Sequence, residues 1–329
     1  MKRIAINGMG RIGRTSLKII FDTPNLEVIA VNDIASIENI AYLLKHDSVH
    51  GDFEKDISIE GNQLIIDGKK IAFLSERDPG QLAWEKLKID IVIESTGVFT
   101  REEDADKHIK AGAKTVVLSG PSKSPNIPTV VHGVNTQDGN TNIFSCASCT
   151  TNNISPVMEI IGRRIGIKKA IMTTIHADTA SNRTIDSTDE KDFRMGRSGL
   201  NNLIPTSTGA AIATTRAMPQ FEGKFDGLAV RVPLAVGSLS DITIVTDRET
   251  SVEEINHILG EEAATDRYLK VFAVTNEPIV SSDIIKSPYA AIADLEMTKV
   301  VDGDLVKILA WYDNEWGFTS QMIRQIQEL

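Results

Sequence analysis

The sequence contains little cysteine, no long hydrophobic run and no excess of positive charge. Its two cysteines among 329 residues are too few for a disulfide-stabilised secreted domain, so we expect an intracellular, cytoplasmic protein. The apolar runs are shorter than the roughly 18 residues that a membrane-spanning helix needs, and the chain starts in a predicted strand rather than a signal peptide, so we expect no membrane contact. The net charge of −10 argues against a general nucleic-acid-binding surface.

The composition is otherwise that of an ordinary globular protein. Hydrophobic residues make up 41% and charged residues 24% of the chain. A chain of 329 residues can form two hydrophobic cores, so we expect two domains. His46 and His50 have a spacing that could suggest a metal pair, but nothing nearby completes a ligand set. We therefore expect no bound metal.

A glycine-rich motif near the amino terminus predicts a dinucleotide-binding site. Gly8, Gly10 and Gly13 follow the apolar strand Lys2–Ile6 and open an amphipathic helix. Glycines at this spacing allow the backbone to approach a pyrophosphate closely. Asp33 ends the next predicted strand about 20 residues past the last glycine, where a carboxylate can bind the ribose hydroxyls.

Strands and helices alternate in the first part of the chain and predict a parallel sheet with right-handed crossovers. Two of its apolar strands, Ile89–Glu94 and Thr115–Leu118, are followed by Thr96 and Ser119. Ligands bind at the carboxyl ends of such strands, so these hydroxyl side chains are candidates for cofactor binding. Turn residues within 55–75 predict a hairpin-rich insertion.

Cys149 lies between a predicted strand, Asn142–Phe144, and a helical pattern over Ile154–Ile165. A thiol at a helix start lies near unpaired backbone N–H groups and the positive end of the helix dipole, which favours the thiolate. The hydroxyls of Ser148 and Thr150 crowd the same place and can hold an anion. Cys149 is therefore the candidate nucleophile.

Alternatives remain open for this segment. A lone cysteine is often a buried structural residue, although the polar neighbours of Cys149 and the later His176 count against that, and Ser155-Pro156 could start the helix later. His176 ends a later strand and offers a base or an acid to the thiol. Cys146 gives a C-x-x-C spacing, but exchange proteins place the first cysteine at the helix start, whereas here the second one, Cys149, lies there.

The second half of the chain predicts an α+β domain in which helices cover one face of an antiparallel sheet. Residues 178–202 form a polar stretch without clear periodicity, and a loop of that length is usually functional or part of an interface. The predicted strands are Lys168–His176, Leu228–Pro233, Ser240–Val245, Tyr268–Val274, Met297–Val301 and Leu305–Trp311, and the predicted helices follow Pro205–Ala210 and cover Val252–Ala264 and 319–329.

Longer motifs along the whole chain resemble the glyceraldehyde-3-phosphate dehydrogenase family, which is phosphorylating and nicotinamide-dependent. The two most specific motifs are ASCTTN at Ala147–Asn152 and DNEWG at Asp313–Gly317. The resemblance implies a discontinuous Rossmann-type NAD-binding domain of residues 1–148 and 314–329, and a catalytic domain of residues 149–313. It also implies a homotetramer in which the long polar loop reaches a neighbouring subunit.

The same resemblance implies oxidation of D-glyceraldehyde 3-phosphate to 1,3-bisphosphoglycerate, with hydride transfer to NAD and attack of inorganic phosphate on a cysteine thioester. Cys149 is then the nucleophile and His176 its base. The implied cofactor contacts are Gly8, Gly10, Arg11, Ile12, Gly13, Asp33, Arg77, Thr96, Ser119 and Asn314. The implied phosphate contacts are Thr179, Ser181 and Arg231 for the substrate and Ser148, Thr208 and Gly209 for the attacking phosphate, and Thr150 is a further substrate-site candidate.

The chain departs from the family pattern close to these residues. Cys146 stands where the family usually has Asn, Asp178 where it has Tyr, and Ser181 where it has Thr. The segment Leu234–Gly237 also differs. The carboxylate of Asp33 would repel the 2′-phosphate of NADP, so we expect a preference for NAD with minor use of NADP.

Other functions remain as alternatives. Oxidation of erythrose 4-phosphate by a sister enzyme is suggested by Thr174–His176 and Pro219–Phe221, which resemble that sister, whereas Thr179 and Arg231 favour the three-carbon substrate. A cofactor-sensing binding protein would be favoured had Cys149 or His176 been replaced, and neither is. A thiol–disulfide exchange protein is suggested only by the cysteine spacing, which also predicts that Cys146 and Cys149 can form a disulfide under oxidant.

Overall fold

A computed structural model describes residues 1–136 and 141–329, and the chain divides into two compact units. The first unit contains Met1–Val130, a segment that ends at Ala147, and Met322–Leu329. The second contains Val131–Thr136 and Ser148–Gln321. None of the helices in the described part of the chain is long and apolar enough to cross a membrane.

The first unit is built on one sheet of eight strands. The strands are β1 (Lys2–Asn7), β2 (Leu26–Asn32), β3 (Ile57–Glu60), β4 (Gln63–Ile66), β5 (Lys69–Leu74), β6 (Ile91–Glu94), β7 (Thr115–Leu118) and β8 (Ile143–Ser145). Their order across the sheet is β3-β4-β5-β2-β1-β6-β7-β8. From β5 to β8 every neighbouring pair is parallel, which confirms the predicted Rossmann-type sheet.

The hairpin-rich insertion predicted at 55–75 forms the edge of this sheet, where β3, β4 and β5 are antiparallel. Asp67 and Gly68 between β4 and β5 have φ angles of 47° and 78°. Two consecutive positive φ angles are typical of the type I′ turns that close tight hairpins, and an Asp-Gly pair adopts them readily. The Asp-Gly pair alone was therefore sufficient to predict this hairpin.

Three helices of the first unit begin in different ways. They are α1 (Arg11–Phe21), α2 (Ile37–Lys45) and α3 (Glu102–Lys110). Helix α2 is capped by the Ser36 side chain, which accepts a hydrogen bond from the Asn39 N–H at 3.3 Å. Helix α3 carries three acidic residues in its first turn, which complement the helix dipole. Helix α1 starts after Gly10 with neither a side-chain cap nor an acidic first turn.

The second unit contains one sheet of seven strands and three complete helices. The helices are α4 (Cys149–Arg164), α5 (Ala210–Ala217) and α6 (Val252–Ala263). The strands are β9 (Ile167–Ala177), β10 (Ile204–Ser207), β11 (Phe225–Val232), β12 (Ser238–Thr246), β13 (Phe272–Thr275), β14 (Ala291–Val301) and β15 (Leu305–Tyr312). The last helix, α7 (Trp316–Glu328), has residues in both units.

The sheet of the second unit is mainly antiparallel, as predicted, but two of its six neighbouring strand pairs are parallel. Its order is β10-β11-β9-β12-β15-β14-β13, and the pairs β9–β11 and β13–β14 are parallel. Parallel pairing requires a long crossover, and the chain between β9 and β11 supplies one that contains β10 and α5. Apolar residues of α4, α5 and α6 pack on this sheet in a single core.

One predicted boundary was wrong, because Tyr268 lies in a turn before β13, with its N–H bonded to the Thr265 carbonyl. Residues 204–207 form a strand that was not predicted, and the helix predicted after it begins at Ala210. Helix α4 begins at Cys149 and not at Ser155, although Pro156 lies inside it. The Ser148 cap and burial of the helix in the core outweigh the hydrogen bond that proline cannot donate.

Candidate active site

The start of α4 places Cys149 at the first helical position. Ala147 has a φ of 60°, a left-handed conformation that is rare for a residue with a side chain and turns the chain sharply into the helix. Ser148 then caps α4, because its Oγ accepts a hydrogen bond from the Thr151 N–H at 3.1 Å. The cap fixes the orientation of the first turn and therefore of the thiol.

His176 lies at the end of β9 and faces this thiol. Its Nε2 is 3.3 Å from the Cys149 Sγ, within the distance limit for a hydrogen bond to sulfur. His176 is 4% exposed, so its ring is held by packing. A thiol and an imidazole at this distance can exchange a proton, which is the arrangement that activates a cysteine nucleophile.

Arg231 is brought to the other side of the same imidazole by the sheet register. β11 runs parallel to β9 with Arg231 opposite His176. The Arg231 Nη1 lies 2.6 Å from the His176 Nδ1 and 3.2 Å from the Ala177 carbonyl oxygen, and the Nδ1 itself lies 2.7 Å from that oxygen. When Arg231 donates to Nδ1, the imidazole proton is on Nε2, and when Nδ1 donates to Ala177, Nε2 is the basic nitrogen.

The protonation of the pair differs from the prediction of a stabilised thiolate. Burial raises the pKa of the Cys149 thiol, and the hydrogen bond from Thr150 and the charge of Arg231 oppose that shift without cancelling it. Burial and the Arg231 charge lower the pKa of His176 to about 4. At neutral pH the site therefore holds a neutral imidazole beside a thiol, and that imidazole can accept the thiol proton.

Tyr312 belongs to this site, and the sequence analysis missed it. Its hydroxyl lies 2.9 Å from the Thr150 Oγ1 and 2.8 Å from the Thr174 Oγ1, and its ring meets the His176 ring edge-on at 6.0 Å between centroids. Tyr312 is 2% exposed, and burial raises the pKa of its hydroxyl. The available signal was its position at the end of a strand immediately before DNEWG. The Thr150 hydroxyl is therefore hydrogen-bonded to Tyr312 in this structure.

The residues predicted to hold the substrate phosphate lie on the loop after β9 and on β11. The Thr179 Oγ1 and the Ser181 Oγ are 2.9 Å apart. The Arg231 Nε and the Asn182 Nδ2 are buried and have no hydrogen-bond acceptor. Buried donors of this kind are normally satisfied, so these two nitrogens can donate to a bound anion.

Asp178, where the family usually has Tyr, is the acidic group near these donors. Its Oδ1 is buried without a partner, and burial raises the pKa of this carboxyl while the charge of Arg231 opposes the shift.

The predicted site for the attacking phosphate has an open helix start. Gly209 precedes α5 without a side-chain cap, and space for a side chain at its position is free of other atoms. The Thr208 Oγ1 accepts a hydrogen bond from the Ala210 N–H at 3.2 Å. The Ser148 Oγ accepts from the Thr151 N–H, as described above, and also lies 2.8 Å from the Thr151 Oγ1. When the Thr151 hydroxyl donates in that contact, the Ser148 hydroxyl can donate to a phosphate oxygen.

A cleft of about 380 Å³ lies at the carboxyl ends of β1, β2 and β6 in the first unit. Gly8 and Gly13 are required by close approach, since a Cβ on Gly8 would lie 2.7 Å from the Thr96 N and one on Gly13 only 1.9 Å from the Gly8 carbonyl oxygen. Nothing lies within 4 Å of a Cβ on Gly10, so the start of α1 is open to a ligand. The cleft is lined by Asn7, Gly8, Gly10, Asn32, Asp33, Ile34, Glu76, Arg77, Ser95, Thr96, Val98 and Phe99.

Asp33, which was predicted to bind the ribose hydroxyls, also accepts two backbone hydrogen bonds. Its Oδ2 accepts a hydrogen bond from the Met9 N–H at 2.7 Å and its Oδ1 one from the Ala35 N–H at 2.8 Å. The carboxylate thus holds the glycine-rich loop against the end of β2. Each oxygen retains a lone pair that can accept a ribose hydroxyl.

Several predicted cofactor residues do not line the cleft. Ile12, Gly13 and Ser119 are absent from its wall, and Asn314 lies in the second unit. The Asn314 Oδ1 accepts hydrogen bonds from the Gly237 N–H at 3.2 Å and the Ser238 hydroxyl at 3.0 Å.

Arg11 is likewise absent from the wall of the cleft. Its side chain donates to the Asp47 Oδ1 at 2.8 Å, and it lies 3.2 Å from the His50 Nδ1. Asp47 also accepts from Lys18 at 2.9 Å, and these cations lower the pKa of its carboxyl. The loop that suggested a metal pair is therefore held by ion pairs. Within the ranges 1–136 and 141–329, no group of three or more metal-ligating side chains is arranged to hold an ion.

Family models and individual relatives that match this chain all point to the same enzyme family. A family model described as the C-terminal domain of glyceraldehyde 3-phosphate dehydrogenase matches residues 148–314, and the model of that enzyme's NAD-binding domain matches residues 2–102. The glyceraldehyde-3-phosphate dehydrogenase of Zymomonas mobilis is 44% identical over 325 residues, which cover 98% of this chain and 96% of that protein. The enzymes of that name from Clostridium pasteurianum and Geobacillus stearothermophilus are 41% and 42% identical, and each alignment covers at least 96% of both chains.

Proposed function

Because the chain belongs to the glyceraldehyde-3-phosphate dehydrogenase family, we propose that it catalyses the phosphorylating oxidation of D-glyceraldehyde 3-phosphate to 1,3-bisphosphoglycerate. It is an NAD-dependent oxidoreductase, and NAD when bound accepts a hydride from the substrate. The observation that carries the catalytic assignment is the 3.3 Å distance between the Cys149 Sγ and the Nε2 of a neutral His176.

The first half of the reaction uses that pair. Nε2 of His176 accepts the thiol proton, and the Sγ forms a bond to the aldehyde carbon to give a thiohemiacetal. The imidazolium returns its proton to the new alkoxide and is neutral again. Nε2 then accepts the hydroxyl proton as the carbon loses its hydride, which leaves a thioester on Cys149.

In the second half, inorganic phosphate attacks the thioester carbonyl. The carbon–sulfur bond breaks, the acyl phosphate leaves, and the Cys149 sulfur recovers a proton from His176. The open start of α5 at Gly209, with Thr208 and the hydroxyl of Ser148, supports this phosphate site.

The phosphate of the substrate is proposed to bind Thr179, Ser181 and Arg231. Two features support this assignment: the buried Arg231 Nε lacks an acceptor, and the adjacent hydroxyls of Thr179 and Ser181 can donate to phosphate oxygens. Arg231 lies between the apolar residues Val230 and Val232 at the end of β11, and its buried Nε is costly to leave without an acceptor, which a phosphate dianion supplies.

The first unit is proposed to bind the cofactor in its cleft and the second unit to carry out the chemistry. Open space at Gly10, the lone pairs of Asp33 and the side chains of Arg77 and Thr96 fit a dinucleotide. The Asp33 carboxylate supports a preference for NAD over NADP.

A cytoplasmic homotetramer is proposed as the assembly. Several large apolar side chains between β9 and β10 are exposed. They are Ile185, Phe193, Leu200 and Leu203, which are 65–84% exposed. A cluster of exposed apolar side chains on one loop is typical of a surface that another chain covers.

The function is tested by following NADH formation with each aldehyde phosphate, with and without inorganic phosphate. We expect rapid phosphate-dependent oxidation of glyceraldehyde 3-phosphate and slower oxidation of erythrose 4-phosphate. Faster turnover of erythrose 4-phosphate would move the assignment to the sister enzyme. NAD binding without turnover of either substrate would favour a cofactor-sensing protein.

A further inference from the structure

Five buried polar side chains are hydrogen-bonded to one another at the cofactor cleft, which Asn7 and Asn32 line, and they take no part in the chemistry described above. They come from the ends of β1, β2 and β6, from α3, and from the loop before β6, and none of them is more than 4% exposed. They are Asn7, Asn32, Trp84, Glu94 and His108. Buried polar groups of this number must satisfy one another, so the direction of each hydrogen bond matters.

The direction is set at one end by Trp84. An indole N–H can only donate, and the Trp84 Nε1 lies 3.0 Å from the His108 Nδ1. The Nδ1 must therefore be the bare, accepting nitrogen, which leaves the proton of a neutral imidazole on Nε2. That Nε2 lies 3.0 Å from the Glu94 Oε2 and donates to it.

Glu94 collects donors on both oxygens. Its Oε2 accepts from His108 and, at 2.6 Å, from the Asn7 Nδ2, while its Oε1 accepts from the Thr96 N–H at 2.8 Å and from the Thr96 hydroxyl. The Asn7 Nδ2 is also 3.5 Å from the His108 Nε2, so the two donors converge on the same oxygen. The carboxylate thereby ties the end of β6 to Thr96, which lines the cleft.

Glu94 also fixes the orientation of the two amides that follow. Because the Asn7 Nδ2 is used by Glu94, the Asn7 Oδ1 accepts from the Asn32 Nδ2 at 2.7 Å. The Asn32 side chain then clamps the backbone of Glu76, with its Oδ1 accepting from the Glu76 N–H and its Nδ2 donating to the Glu76 carbonyl oxygen, both at 2.9 Å. Glu76 and Arg77 line the cleft.

We propose that Trp84 and His108 are positioning residues for the cofactor, which act through Glu94, Asn7 and Asn32 on the loop that carries Glu76 and Arg77. This inference rests on the proposed binding of NAD in the cleft. In the other tautomer, the His108 Nδ1 proton would oppose the indole N–H, and a lone pair on Nε2 would face the carboxylate. The Trp84 indole therefore selects the one His108 tautomer in which all five side chains are hydrogen-bonded. We call this hydrogen-bonded set, which runs from Trp84 to Asn32, the relay.

The first experiment is neutron diffraction on the unmodified protein. A deuteron on the His108 Nε2 and none on the Nδ1 is expected. A deuteron on Nδ1 would overturn the proposal, and this outcome does not depend on whether the protein oxidises glyceraldehyde 3-phosphate.

The second experiment removes only the indole donor. Trp84→Phe keeps an aromatic ring but has no N–H, and we expect the Kd for NAD, measured by calorimetric titration, to rise about 10-fold. The kcat at saturating NAD and the KM for the aldehyde should stay within about twofold, because the relay acts on cofactor binding alone.

Trp311→Phe is the matched control, since the Trp311 Nε1 also donates a hydrogen bond to a side chain, the Asp294 carboxylate at 3.1 Å, but in the second unit. It should leave the Kd for NAD unchanged. An unchanged Kd in Trp84→Phe, or an equal rise in both variants, would overturn the proposal. If the unmodified protein itself does not bind NAD in this titration, the proposed function is overturned instead.

If Trp84→Phe does not fold, His108 itself provides the test. His108→Gln offers an amide oxygen to the indole and an amide N–H to Glu94, whereas His108→Leu offers neither. We expect the Kd of the glutamine variant to be close to that of the unmodified protein and the Kd of the leucine variant to be about 10-fold higher. Equal affinities in the two variants would overturn the proposal.

Discussion

The starts of α1 and α4 both present backbone N–H groups, which are left open at α1 and are capped by a side chain at α4. Both helices begin at a turn, and both have backbone N–H groups without a partner in the preceding turn. At α1, Gly10 leaves these groups uncapped and open to the cleft. At α4, the Ser148 Oγ caps the first turn, and the thiol of Cys149 lies 3.3 Å from His176. An open helix start suits a large bound anion, whereas a capped one holds a single reactive atom in place.

The largest effect is expected at the capped start. Cys149→Ser replaces the nucleophile with a hydroxyl that His176 activates far less well, and kcat should fall by at least about 10³-fold. The NAD affinity should be unchanged, because the cleft of the first unit keeps all its residues. Steady-state kinetics and calorimetric titration measure the two quantities.

Cys146→Ser is the matched control for this variant. Cys146 is buried, and burial raises the pKa of its thiol, so it is a poor nucleophile at neutral pH. We expect it to retain most of its turnover. Similar losses in the two variants would remove the distinction between the cysteines.

The second effect concerns the arginines beside the two helix starts. The side chain of Arg11, the first residue of α1, is paired with Asp47, whereas the Arg231 Nε has no acceptor. Arg231→Leu should lower kcat/KM for glyceraldehyde 3-phosphate by roughly 10- to 150-fold, the cost of one charge-assisted contact. Oxidation of unphosphorylated glyceraldehyde should change little at pH 8, and equal losses on both substrates in a folded variant would show a structural role.

The same variant changes a pH profile in a known direction. The positive charge of Arg231 lowers the pKa of His176, so its removal raises that pKa. Because the neutral imidazole is the base, the acid limb of the rate with glyceraldehyde should move to higher pH. Arg231→Lys keeps a positive charge and should move the limb less.

The third effect separates two glycines at the open start. Gly13→Ala places a Cβ 1.9 Å from the Gly8 carbonyl oxygen, and such overpacking typically costs about 1–3 kcal/mol of folding free energy. Gly10→Ala meets no atom within 4 Å and should leave the thermal midpoint unchanged while weakening NAD binding. Equal destabilisation by both changes, measured by calorimetry, would show that the two glycines serve one purpose.

The features that the sequence predicted are those with local causes. Gly8 and Gly13 are forced by close contacts within the same loop or with its immediate neighbour strand, and Asp67-Gly68 closes a hairpin by its own φ angles. Local sterics of this kind leave a fixed spacing in the sequence. The glycine-rich turn and the edge hairpins could therefore be predicted from short segments of the sequence.

The features that it missed join distant parts of the chain. Tyr312 binds Thr150 across 162 positions, and nothing in either segment signals the partner. The parallel pairing of β9 with β11 depends on a crossover whose path has no local pattern. The thiol pKa was misjudged for the same reason, because the helix dipole can be predicted from one segment, whereas burial depends on the whole core.

The smallest effect is expected from the cap itself. Ser148→Ala removes the acceptor of the Thr151 N–H and should cost about 1 kcal/mol, as loss of a serine N-cap usually does. Ser251→Ala is the matched control, because the Ser251 Oγ caps α6 in the same unit by accepting from the Glu254 N–H at 3.2 Å. Both variants should lower the thermal midpoint by a similar few degrees. Only Ser148→Ala should also lower kcat, by roughly 2- to 10-fold, since small misplacements of a reacting group reduce the rate. If the two variants lose the same stability and neither loses turnover, the cap stabilises α4 without positioning the thiol, and the contrast between the two helix starts reduces to the residues that follow them.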